Sequence, residues 1–285
     1  MAAADGRPQE LVDKSRGARE LLQQERFRVA PKRKEGEEEG AGAADCVGES
    51  LALVQQSKRH SKSWAEDFRS LTQRTRSLLQ AGRVFAVHQV EGRRRHARIS
   101  LEAGRLCLHA LADHPLTVWA STLQVSQVVP PSPPCTVFLD LSWPGRAPRR
   151  VHIRLSPDTP WGRQFLMLCT GQRGPSYRGT RLYEVEDKGW PGECVWGGDY
   201  ERNDGTGECV LLPGLEEGEE RRPCRAGDVW GEGRRGVFGI TTRDCQVVLP
   251  CCFFGEVVEG LHVVAEAAQH SDIKEVTVVD CGVVL

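Results

Sequence analysis

The chain has 285 residues, enough for one ordinary domain with extensions or for two small ones. Its net charge of −1 hides an asymmetry: residues 50–100 carry 11 Lys and Arg against 3 Asp and Glu, a net +8 that leaves −9 on the remainder. No apolar run reaches the length of about eighteen residues that a membrane-spanning helix needs, and residues 1–9 lack the apolar core of a secretory signal.

Eleven cysteines without such a signal point to free thiols in a reducing compartment. The expectation is a cytoplasmic chain, with the nucleus as the alternative. No C-x-x-C pair or zinc-module spacing occurs, so neither a metal site nor a cofactor is expected.

Residues 1–49 set Lys32-Arg33-Lys34 against Glu35 to Glu39, followed by glycine and alanine, with almost no aromatics. Such a segment buries too little apolar area to offset chain entropy and reads as disordered. From Ser63 the pattern changes. Ser63 and Glu66 make a capping box, and Trp64, Phe68, Leu71, Thr75 and Leu78 then recur at helical spacing as far as Gly82. The prediction is one amphipathic helix over 63–81, which docks on this chain's own β-structure or on a partner helix. The basic stretch reads as a solvated helix face and a basic turn (Arg93-Arg94-Arg95), so nucleic acid is not an expected partner.

Short strands follow at 84–90, 97–101, 106–111 and 116–129, a small β-meander with single histidines and no ligand spacing. Pro130-Pro131-Ser132-Pro133-Pro134 reads as a stiff linker. Beyond it, 136–143 and 149–156 alternate as a hairpin. Residues 159–169 form a helix with Asp158 or Thr159 as cap and Pro160 in its first turn. Strands recur at 236–242, 252–258 and 275–281, with a second helix at 260–270. The frame Gly197-Gly198-Asp199-Tyr200 followed by Asp204-Gly205-Thr206-Gly207 marks a pair of tight turns.

Residues 136–285 resemble the cyclophilin family of peptidyl-prolyl cis-trans isomerases. The resemblance rests on several motifs in order: Val137 to Asp140, the run from Asp158 to Cys169-Thr170-Gly171, Tyr177 to Thr180, the GGD frame, Phe254 to Gly260, and the ending Val276 to Gly282 with Leu285. It implies a mainly β fold: a closed antiparallel eight-stranded barrel with two capping helices, here preceded by a helix and a small β extension. It also implies a groove for proline-containing peptides.

In that family an arginine stabilises the twisted amide against a barrier of roughly 18–20 kcal/mol, and an apolar pocket seats the proline ring. Counting forward from Tyr177 puts Glu184 at the arginine position; counting back from Gly197 puts Lys188 there. Arg181 lies nearby. Groove candidates by the same resemblance are Trp196, Val237, Phe238, Gln246 and Cys251, with Gly239 where the pocket phenylalanine stands. The arginine, most of the pocket and the clamping loop are thus replaced, and loss of one electrostatic donor alone costs about 10²–10³ in rate. The expectation is an inactive or strongly impaired member that binds a protein or a proline-containing peptide; the alternative is a working isomerase that assists protein folding.

Overall fold

The computed structural model describes residues 68 and 70–285, apart from 91, 114, 115, 117, 118, 214, 216–220, 232–234, 247 and 251. The segment 1–49, the capping box at Ser63 and Glu66, and Trp64 therefore lie outside the described residues, as does Cys251.

Helix α1 (Gln73–Gln80) is capped by Thr72, whose hydroxyl accepts from the Thr75 N–H. The single five-turn helix of the sequence reading is interrupted ahead of it, because Leu71 takes φ +48° and its N–H bonds to Phe68 O. The exit is as expected from Gly82. That residue takes φ +65°, its N–H bonds to Leu79 O, and Arg83 N–H reaches Leu78 O, a Schellman closure. Phe68, Thr75 and Leu79 are buried, and Phe68 and Leu79 belong to the main hydrophobic core. The apolar face of α1 is thus spent on this chain's own sheet.

β1 (Val84–Val90), β2 (Arg93–Glu102) and β3 (Arg105–His109) run antiparallel. The two-residue turn Ala103-Gly104 has positive φ at both positions, which matches the strand twist and tightens the β2–β3 hairpin. The apolar run 116–129 is not one strand: β4 (Ser121–Gln124) pairs parallel to β1, and a short helix α2 (Val125–Val128) follows at once. β5 (Cys135–Ser142) and β6 (Arg149–Leu155) form the predicted hairpin.

Helix α3 (Pro160–Thr170) has Thr159 as its cap, accepting from Gly162 N–H, Pro160 at its first position and Gly171 in the left-handed region at its end. The remaining strands are β7 (Leu182–Glu186), β8 (Cys194–Gly197), β9 (Arg221–Pro223), β10 (Asp228–Gly231), β11 (Phe238–Thr241), β12 (Val248–Pro250), β13 (Cys252–Glu259) and β14 (Thr277–Val284). Helix α4 (Leu261–Ala268) and a 3-10 turn at Ile273–Glu275 lie between the last two strands.

Twelve of the described strands join one mixed sheet in the order β4-β1-β2-β3-β14-β5-β6-β13-β10-β11-β8-β7; β9 and β12 pair separately. This corrects the expectation of an eight-stranded closed barrel. The sheet is open, with β4 and β7 as its ends. The reason lies in β14: one edge pairs with β5, and the other takes β3 through Gly282 to His109, Val283 to Leu108 and Val284 to Cys107. The small meander therefore continues the large sheet. A single isolated bridge from Arg181 to Thr277 brings the chain ahead of β7 against the start of β14, but no strand ladder runs between them.

The core lies against α3, where Phe165 packs on Tyr177, Phe238 and Phe254 at ring-centroid distances of 4.9, 5.2 and 5.2 Å. All four rings are essentially fully buried. The described residues fall within one compact unit, and Pro133, within the Pro-rich stretch, lies within 3.2 Å of where a Cβ on Gly162 would stand.

Candidate functional site

The face on which the sequence places a groove is built by β7, β8, β11 and β10. Cross-strand pairing sets Glu184 opposite Trp196, Trp196 opposite Gly239 and Gly239 opposite Trp230. Residues paired across strands share a face, so these four stand side by side. The Trp196 and Trp230 rings meet edge to face with centroids 4.6 Å apart. Gly239 lies beneath them: a Cβ there would come within 2.8 Å of Cys194 Sγ, 3.2 Å of Trp230 and 3.3 Å of Trp196. Cys194, Trp196 and Val237 are buried together, with Tyr183 and Trp230 packed on them. The place expected for a proline ring is occupied by the protein's own indoles.

The polar groups at this face are acidic or already used. Trp196 Nε1 donates to Glu186 Oε2 at 2.9 Å and Trp230 Nε1 to Thr241 Oγ1 at 3.2 Å. Glu184 is exposed. Lys188 directs its Nζ to the His270 carbonyl at 3.4 Å, toward the end of α4. Arg181 is held by its backbone, its N–H donating to Asn203 Oδ1 at 2.6 Å. Glu184 stands opposite Trp196 in the ladder, but among the described residues no side-chain hydrogen bond or ion pair joins Glu184, Lys188 or Arg181 to the indoles.

Phe238 is not a groove residue: it is fully buried against Phe165 and Tyr177 on the opposite side of β11. Gln246 is exposed and makes no described contact with the cluster. Trp230, Cys194 and Glu186 were missed as site residues. Alternation along β10 offered a signal for Trp230, since buried Val229 next to it faces the core.

Beyond the Phe253 end, Arg222 lies over the Phe253 ring at 3.8 Å and makes two bonds to Asp228 at 2.8 and 2.9 Å. At the other end, Glu193 is buried and accepts from Thr242 Oγ1 at 2.6 Å and Gly189 N–H at 2.7 Å. Burial pushes its carboxyl up, but these bonds and Arg243 outweigh it and hold it below the usual range.

The Gly197–Gly207 stretch is a structural anchor. The Asp199 carboxylate accepts five backbone N–H groups, from Glu201, Arg202, Asp204, Gly205 and Gly207, at 2.9 to 3.2 Å. Burial opposes the charge, yet these donors lower its pKa to about 2. Gly198 and Gly205 take φ +87° and +88°, and a Cβ on Gly207 would sit 2.2 Å from Asp199 Oδ1. The glycines are demanded by the loop itself.

A second polar cluster seals the junction of β2, β3, β5, β6 and β14. Arg150 bonds Asp140 at 2.7 and 2.8 Å and Glu102 at 2.6 Å, with its guanidinium 3.8 Å over Phe138. Burial works against its charge, but Asp140 and Glu102 raise its pKa on balance. His109 places Nδ1 2.8 Å from Asp280 Oδ2 and Nε2 2.7 Å from Ser100 Oγ, the distances of a Ser-His-Asp triad. Ser100 and His109 are both buried, however, and the Ser100 hydroxyl donates to Glu102 Oε1 at 2.5 Å. The hydroxyl hydrogen that a nucleophilic serine would direct to its base points to that carboxylate instead. The arrangement bolts β2 and β3 to β14.

Among the described residues no group of three or more His, Cys, Asp or Glu is arranged to hold a metal ion, and no helix is long and apolar enough to cross a membrane. No family model matches the chain.

Proposed function

We propose that residues 136–285 are a diverged relative of the cyclophilins that has lost the isomerase reaction and that the chain works as a protein-interaction module. The observation that supports this is the Trp196–Trp230 pair over Gly239, the position to which the resemblance assigns a pocket phenylalanine. The reaction needs a preorganised cation beside the rotating amide. The site offers Glu184 and Glu186 instead, and Lys188 is engaged with the His270 carbonyl.

Cytoplasmic placement belongs to the same proposal. It is supported by buried thiols such as Cys169 and Cys281, the latter donating to the Cys169 carbonyl at 3.3 Å.

The test is a protease-coupled isomerase assay on a series of proline tetrapeptides. The full chain is expected to leave the uncatalysed rate unchanged. Acceleration well above background that disappears on Lys188→Ala would overturn the reading and establish a rebuilt isomerase.

A further inference from the structure

The described part of the basic segment, residues 70–100 apart from 91, has a defined place in the fold. Its β1–β2 hairpin and the turn after α3 enclose a cleft of about 720 Å³, lined by His88, Val90, Arg93, Arg95, Asp113 and Arg173 among others. Among the described residues, three guanidinium groups from two distant segments thus line one volume with one carboxylate, that of Asp113. Their roles differ. Arg95 is largely buried and fixed: it donates to the Gly171 and Leu111 carbonyls at 2.7 Å each and to Gly174 O at 3.2 Å. Its charge is held in the cleft, and it cancels the carbonyl end of α3.

Arg93 is 82% exposed, and its one ion-pair partner among the described residues is the outer oxygen of Asp113 at 3.8 Å. Arg173 is exposed and has no hydrogen-bond or ion-pair partner among the described residues. Asp113, itself 64% exposed, sits 3.2 Å from Arg95 Nε. It is a weakly held internal anion amid an excess of positive charge.

We propose that this cleft binds a phosphorylated peptide segment, with the phosphate taken by Arg93 and Arg173 beside the fixed charge of Arg95. The planar forks of arginine match phosphate oxygens two at a time. A phosphoserine carries about −1.5 to −2 charges, which outcompetes the single charge of Asp113 for the same donors. Exposed Val90 at the margin offers apolar contact to a flanking side chain. The count of cations favours a peptide over a polynucleotide. Duplex DNA presents a charge about every 1.7 Å and is held by neutralising many phosphates in a row, whereas three guanidinium groups around one cleft suit one phosphate. This site is separate from the indole-filled face, and its test does not depend on that reading.

The test is fluorescence anisotropy of the full chain with a labelled peptide pool of random flanks around a central phosphoserine. The same pool unphosphorylated and a single-stranded oligonucleotide serve as the other arms. The phosphorylated pool is expected to bind at least about tenfold more tightly than the unphosphorylated one, a difference of about 1.4 kcal/mol. Arg93→Ala and Arg173→Ala should each weaken it severalfold, while Asp113→Asn should tighten it by removing the competing anion. Both arginines are exposed, so circular dichroism of the variants should match the parent. Equal binding of the two pools, indifference to Arg93→Ala and Arg173→Ala together, or tighter binding of the oligonucleotide would each overturn the proposal.

Discussion

Asp199 shows how much a single side chain does for the loop that carries the sequence's most conspicuous glycines. Five N–H donors converge on one carboxylate, and protonating it weakens all five bonds and turns one oxygen into a donor facing N–H groups. Its folded pKa of about 2 lies below the ordinary 3.8. The stabilisation is therefore complete above about pH 4 and is lost as pH falls through 2, roughly 2 kcal/mol in all. Asp199→Asn, which turns an acceptor into a donor facing N–H groups, should cost about 2 kcal/mol at pH 7. In denaturant melts at several pH values, the gap between parent and variant should close as pH drops from 4 to 2; a constant gap would exclude the charge as its source.

The same scale governs the indole pair. Trp230→Ala removes the half-buried ring that covers Gly239 and should cost about 1–2 kcal/mol, less than truncation of a fully buried aromatic. A change in thermal midpoint too small to measure would show that the pair is decorative. The turn glycines were legible because backbone geometry with positive φ leaves few alternatives. The meaning of Gly239 was not, since what fills the space above a glycine is decided by Trp196 and Trp230 from other strands.

At the scale of elements, local patterns succeeded and long-range pairing failed. Alternation placed β1 at its observed bounds, and Thr159 with Pro160 fixed the start of α3. The apolar run 116–129 misled, because a continuous hydrophobic stretch does not reveal where β4 stops and α2 starts. The helix at 63–81 was read through Leu71, where Thr72 begins a new cap.

The decisive miss is the pairing of β3 with β14, contacts between residues far apart in sequence that no local signal encodes. That junction carries His109 to Asp280, Arg150 to Glu102 and Arg105 to Glu259 in addition to its ladder. A fragment beginning at residue 130 would bare the edge of β14 and strand buried polar partners. It should be less stable than the full chain and prone to aggregate, measured by thermal melting and light scattering. A fragment that melts at the parent temperature as a monomer would contradict the continuous sheet.

For the whole molecule, the proposed kinship with the cyclophilins gives retention and replacement a physical sense. Residues matching the family motifs, such as Phe165, Cys169, Tyr177 and Phe254, are those buried around α3, and Asp199 holds its loop. On the proposed kinship, the reacting face carries indoles and carboxylates. Among the described residues no Lys or Arg side chain is hydrogen-bonded to the indole pair, and the proposed loss of the reaction rests on that missing donor.

The measurement that bears most directly on this account is the isomerase assay with the full chain on proline tetrapeptides, alongside Lys188→Ala and Arg181→Ala. The account predicts no acceleration over the uncatalysed rate for the parent or either variant. Acceleration by the parent that one of these substitutions abolishes would contradict it.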